Sequence, residues 1–171
     1  NRIVAGYAMP RDLVSLRATL EEIPKIQNLF LDEVPALARA LSLLSPCEQE
    51  LGLLHHAIPP EPPATLQNIG VIREGYAEEL DNILDSTRHA REWIANLESI
   101  EKKRTGIKTL KVGYNKVYGY YISLTKAVVD MAPEHYIRKQ TLVNAERYIT
   151  PELKEYETLV LNAEERIHDV E

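Results

Sequence analysis

The sequence predicts an α+β, mainly α fold: a helical core with a long antiparallel helix pair carrying a small inserted antiparallel β-sheet of about four strands. Three observations lead there. Two stretches place apolar residues alternately three and four positions apart, the period of a helix seam. The segment between them alternates with period two, the period of a strand. That segment is also basic, while the rest of the chain is acidic.

The first 57 residues read as short helices. Leu13, Val14, Leu16 and Leu20 follow Pro10 at helical spacing. Pro24 and Pro35 are expected to mark helix starts or breaks, because proline fits a first helical turn and not a helix interior. A further helix is expected from about Pro46 to Ala57. Ile58-Pro59-Pro60-Glu61-Pro62-Pro63 cannot be helical and reads as an extended connector. No internal repeat of solenoid period is present.

Between Tyr76 and Arg104 there is neither Pro nor Gly. Leu80, Ile83, Thr87, Ala90, Ile94 and Leu97 form one seam, on a helix roughly 40 Å long. Leu153, Tyr156, Val160, Ala163, Ile167 and Val170 form a second over Pro151 to Glu171. Thr150 suits the cap of that helix, Pro151 its first position and Glu152 its positive end. Matching seams on either side of an insert predict an antiparallel pair; separate packing in a bundle is the alternative.

In the insert, Leu110, Val112 and Tyr114 alternate with Lys111 and Gly113. Tyr120, Ile122 and Leu124 alternate with Tyr121 and Ser123, with Asn115-Lys116 as the turn between. A second hairpin is expected from Tyr136–Leu142 and Ala145–Thr150, bending at Val143-Asn144, where Asn tolerates a left-handed backbone. Six of the nine tyrosines lie between residues 105 and 150. Tyr114, Tyr120 and Tyr148 are at least as suited to the core of the little sheet as to base stacking.

The net charge of −6 conceals an asymmetry. Residues 105–150 hold seven cations and three anions, a net +4, and the other 13 cations and 23 anions leave −10. A basic module on an acidic scaffold points to a polyanion partner for the module alone. Arg138, Lys139, Gln140, Thr141 and Asn144 cluster near the expected hairpin end. Those side chains suit phosphate oxygens and carry no base code.

Catalytic patterns are missing. There is no GxxxxGK[ST] phosphate loop. Gly113 and Gly119 do not form a dinucleotide fingerprint. His55 and His56 are adjacent, so their rings face different sides of a helix. Cys47, the single cysteine, reads as a small buried hydrophobe in a reducing compartment. No apolar run reaches membrane-spanning length. The start at Asn1-Arg2-Ile3-Val4, without Met, leads us to expect a piece of a longer protein.

The strings Arg104-Thr105-Gly106-Ile107, Leu110-Lys111-Val112-Gly113-Tyr114-Asn115-Lys116-Val117-Tyr118-Gly119-Tyr120-Tyr121-Ile122 and Tyr136-Ile137-Arg138-Lys139-Gln140-Thr141-Leu142-Val143-Asn144-Ala145-Glu146-Arg147-Tyr148-Ile149-Thr150-Pro151-Glu152-Leu153 closely resemble the MutS family of DNA mismatch-repair proteins. Pro10-Arg11-Asp12-Leu13 and Gly70-Val71-Ile72-Arg73-Glu74-Gly75-Tyr76 extend the resemblance over nearly the whole chain. The resemblance implies a helical core/lever over residues 1–106, an inserted β clamp over 107–150 and a returning lever helix over 151–171. It implies a non-catalytic stretch whose clamp meets the duplex DNA backbone without reading sequence. Its lever would couple the clamp to a distant DNA-dependent ATPase. Lys139 and Asn144 match DNA-contacting clamp positions, with Arg138, Gln140 and Thr141 as neighbours. The stretch itself would need no cofactor; ATP and Mg would belong to the parent. The implied partners are double-stranded DNA, a second MutS-family subunit and, as a further candidate, MutL, with no membrane. The implied place is the cytoplasm, on the nucleoid when DNA is bound. The family's mismatch-reading Phe-x-Glu is absent, since Leu31-Asp32 follow Phe30. The rival reading is an interaction scaffold of the repair machinery with little DNA binding of its own.

Overall fold

The computed structural model describes residues 2–30, 39–41 and 43–171. Pro35 and Leu31-Asp32 lie outside the described residues. The chain divides into two compact units, Asn1–Asp81 with Ile167–Glu171, and Asn82–Arg166. The fold is mainly helical with one four-stranded antiparallel sheet, as the sequence predicts.

In the first unit, helix α1 (Pro10–Phe30) and helix α2 (Glu48–Ala57) share an apolar cluster built on Leu20, Leu54, Ala57 and Ile58. Cys47 packs at its margin. The break expected at Pro24 does not occur, and α1 runs through it. A proline withholds its own N–H and crowds the carbonyl four residues back, but here the helix is anchored on both sides. Leu16, Leu20 and Ile23 pack before the proline. After it, the Gln27 amide donates to the Leu41 and Leu44 carbonyls at 3.0 and 2.8 Å. Tertiary contacts thus outweigh a local penalty of ~3 kcal/mol. Buried Arg17 donates to the Leu54 carbonyl at 3.3 Å, which also accepts the Ile58 amide, and to the Ile58 carbonyl just past the end of α2 at 2.8 Å. The proline-rich connector that follows is non-helical.

Helix α3 (Glu78–Thr105) carries the first seam, and Leu80, Ile83, Thr87, Ala90, Ile94 and Leu97 are all buried. Acidic residues occupy its first turn, and Lys102, Lys103 and Arg104 its last, the charge order that the helix dipole favours. The second seam divides into α4 (Pro151–Leu161) and α5 (Ala163–Val170), with Asn162 at φ −94°, ψ 4° between them. Thr150 caps α4 as expected, its hydroxyl accepting from the Leu153 amide at 3.0 Å.

Between α3 and α4 lie β1 (Lys111–Asn115), β2 (Gly119–Thr125), a 3₁₀ turn (Lys126–Met131), β3 (Ile137–Thr141) and β4 (Ala145–Ile149). Their spatial order is β1-β2-β4-β3. Both expected hairpins are present; the first turn is longer than Asn115-Lys116 and runs to Gly119. The Asn115 side chain accepts from the Val117 and Tyr118 amides, and Gly119 sits at φ +77°. The hairpins are joined through β2 and β4, with Thr125 opposite Ala145. One face of the sheet presents Ile122, Leu124 and Tyr148 to Ile94 and Leu97 of α3 and Leu153 of α4. The ends of the seams therefore form the floor of the sheet's core. Farther along, Tyr156 of α4 packs on Trp93 and His89 of α3, at centroid distances of 4.4 and 5.7 Å. From Leu97/Leu153 to His89/Tyr156 one number falls as the other rises, so α3 and α4 are antiparallel.

Candidate nucleic-acid interface

The sheet is tied to its helices by carboxylates. Glu98 of α3 accepts the Val112 amide at 3.1 Å and Lys102 at 2.6 Å. That covers a backbone donor on the outer side of edge strand β1. The Lys102 hydrogen bond, then the Val112 amide, holds the Glu98 carboxyl below its usual range. Glu101, 2% exposed, accepts from the Tyr136 hydroxyl at 2.5 Å and from Arg104 at 2.8 Å. Burial, then Glu101, raises the Tyr136 phenol well above its ordinary range. Glu157 of α4, 4% exposed, accepts the Tyr120 amide at 3.1 Å and pairs with Lys154 at 2.5 Å. The Lys154 ammonium also donates to the Tyr118 carbonyl at 3.0 Å, fixing the first turn.

Gly119 belongs to the same arrangement. A side chain there would run into the Glu157 carboxylate. Its positive φ also falls in a region that disfavours side chains. The glycine is thus required twice, by the turn and by the close approach of the carboxylate.

The β3–β4 end contrasts with this. Lys139 is exposed and lies where the β3–β4 register shifts between Arg138 and Gln140. Such an irregularity adds a residue to one strand and re-aims side chains. No ion pair to Lys139 is found among the described residues. Thr141, Val143 and Asn144 are exposed at the strand end and bend, Val143 at 90%. The bend is closed by the Leu142 amide donating to the Ala145 carbonyl at 2.8 Å. Lys126, also exposed, is held beside it by its amide, which donates to the Asn144 carbonyl at 3.1 Å.

The other two sequence-derived candidates are engaged internally. Arg138 lies 3.5 Å from Glu146, though its side chain is largely exposed. Gln140 accepts from Arg147 at 2.9 Å. Buried Glu146 faces the core and accepts from the Tyr148 hydroxyl at 2.7 Å. That hydrogen bond, aided by the Arg138 charge, keeps its carboxyl below the usual range. Burial, then Glu146, pushes the Tyr148 phenol up to about 12.

Lys126 is the residue that the sequence-derived set omits. It is visible as a cation, but only the non-local β2–β4 register brings it to Asn144. Among the tyrosines, Tyr148 is buried and Tyr120 packs on the core. Tyr114 departs from the core role, being 53% exposed. It lies on edge strand β1, its ring 4.9 Å from that of Tyr120. Among the described residues no group of three or more His, Cys, Asp or Glu side chains is placed to hold a metal. Nor is any described helix long and apolar enough to cross a membrane.

The fold and this site define a class, a helical scaffold bearing a small β module with an exposed basic end. A profile described as MutS family domain IV matches residues 75–166, and the chain belongs to the MutS family. It is 49% identical over 166 residues to DNA mismatch repair protein MutS of Alkaliphilus oremlandii, an alignment covering 96% of this chain and 19% of that protein. The like-named protein of Methanothrix thermoacetophila is 49% identical over 172 residues, covering 96% of this chain and 20% of its own length. That of Salinibacter ruber is 44% identical over 171 residues, covering 99% and 19%. The chain thus spans about one fifth of the length of the relatives it matches.

Proposed function

We propose that this chain is a non-catalytic part of a DNA mismatch-repair protein, in which residues 107–150 clamp the duplex backbone and residues 1–106 and 151–171 form the lever. The observation that carries the reading is the exposed basic end of β3–β4 on a sheet anchored to both helices. Lys139 supplies charge, Asn144 and Thr141 supply hydrogen bonds, and Arg138 and Gln140 flank them. None of these needs to enter a groove, so the contact is with phosphate and independent of sequence.

The anchoring supports the lever. Glu98, Glu101 and Glu157 join the sheet to α3 and α4 at separate points, so displacement of the helices carries the sheet with them. ATP and Mg would act elsewhere in the longer protein. This sequence has no phosphate loop, and among its described residues no group of three or more His, Cys, Asp or Glu is placed to hold a metal, so they do not fit either ligand. A second subunit and MutL remain partners proposed for the longer protein, as does a place on the nucleoid.

The test is duplex binding by Lys139→Glu and Asn144→Ala. Both should weaken binding to matched and mismatched duplexes by similar factors. A loss confined to mismatched DNA would refute a backbone-only contact.

A further inference from the structure

The face of the sheet turned away from the core carries an arrangement that the hairpin end does not explain. The register places Lys111 opposite Ser123, Ser123 opposite Arg147, and Arg147 opposite Gln140. Directly paired residues share a face, so these four form one row across all four strands. The face is opposite to that of Ile122, Leu124 and Tyr148.

The Arg147 guanidinium is held from two sides. It lies 4.2 Å from the centroid of the Tyr121 ring and donates to Gln140 Oε1 at 2.9 Å. Tyr121 lies against β1, where a side chain at Gly113 would come within 2.7 Å of its ring. A glycine therefore makes room for the ring, and the ring supports the arginine. A planar guanidinium fixed in this way loses little freedom on binding an oxyanion.

Charge pairing leaves this guanidinium, like several lysines of the insert, without a carboxylate among the described residues. Arg104, Arg138, Lys102 and Lys154 each meet a glutamate. Arg147 meets none among the described residues, and its buried Nε–H has no acceptor. Lys111, exposed at the end of the row, contributes to the field at Glu98 without a hydrogen bond to it.

We propose that this row, Lys111–Ser123–Arg147–Gln140, is a second phosphate-contacting surface that takes phosphodiesters of a nucleic-acid backbone. It rests on the proposed clamp function and assigns to that clamp a sheet face in addition to the β3–β4 end. Lys111 supplies an unpaired charge at the rim. Ser123 supplies a hydroxyl donor between the two cations, and Arg147 a preset guanidinium. Neighbouring strands lie about 4.8 Å apart, so the two cations, on β1 and β4, stand about two strand spacings apart, enough for separate oxygens.

The experiment is an amide-resolved NMR titration of the full chain with a homoduplex, at low and high salt, including the Arg147 Nε–H signal. Shifts at residues 111, 123 and 147 are expected beside those at 139–144, all suppressed by salt. Lys111→Glu, at an exposed position, should weaken the outer-face titration several-fold and lower the salt slope by ~1. Arg147→Lys should keep the charge but remove the Tyr121 stacking, leaving smaller shifts at Ser123. Shifts confined to 126 and 139–144, with Lys111→Glu binding like the parent chain, would overturn this proposal and leave the hairpin-end clamp standing. An absence of shifts at both places would overturn both. Free phosphate reproducing the outer-face shifts at concentrations that leave 139–144 unmoved would show a small-anion site and overturn the nucleic-acid assignment.

Discussion

The helix-facing side of the sheet and its β3–β4 end use the same residue types to opposite effect. Against the helices, Lys102, Arg104 and Lys154 are matched to Glu98, Glu101 and Glu157. At the β3–β4 end Lys139 and Lys126 stand exposed. Matched cations satisfy carboxylates that are buried at Glu101 and Glu157 and half-buried at Glu98, and so fix the sheet in place; exposed ones keep their charge available to a partner. A cation's partner in the fold, rather than its presence in the sequence, separates the anchoring cations from those left free for the proposed contact.

The largest effect is expected on the anchored side. Gly119→Ala must displace the Glu157 carboxylate and strain a left-handed backbone. The cost should be about 2–5 kcal/mol, combining the strain with an unsatisfied, half-buried amide at Tyr120. Urea unfolding measures it; a cost below ~0.5 kcal/mol would show that Glu157 moves aside freely.

Tyr148→Phe should come next, because it removes a hydrogen bond to the charged Glu146, a loss of about 1.5–3 kcal/mol at neutral pH. The same pair has a pH signature. The folded phenol is raised from 10.0 to about 12, so its contribution is whole below pH 10 and declines as pH rises toward 12. Tyr136, raised in the same direction, adds to the decline. Stability followed through that window should fall less steeply in Tyr148→Phe; an unchanged slope would remove Tyr148 as a cause.

Thr150→Ala is smaller again, ~1 kcal/mol for the lost cap of α4, read as a fall in melting temperature. If melting is unchanged, the start of α4 is held by packing of Leu153 alone.

Much of this was legible in the sequence. Every position of the first seam is buried because a repeat of three and four keeps one helix face inward whatever covers it. The cover itself was not legible: Ile94 and Leu97 lie beneath the sheet, a contact that depends on strand order. The hairpins were local and could be read, whereas the β2–β4 pairing joins residues about twenty positions apart and brings Lys126 to Asn144. Pro24 was misleading because the anchors formed by Gln27 are tertiary. The proposed site residues were recognisable by type, but the internal partners of Arg138 and Gln140 required the register of β3 and β4.

The contrast between matched and exposed cations is tested most directly by the salt dependence of homoduplex binding, measured in parallel for Lys139→Ala and Lys154→Ala. Lys139→Ala should melt like the parent chain, within ~0.5 kcal/mol, and lower the magnitude of the salt slope by ~1. Lys154→Ala should lose stability by freeing Glu157, yet keep the parent slope wherever it remains folded. Equal slopes for Lys139→Ala and the parent chain, with the slope lowered instead in folded Lys154→Ala, would contradict the account.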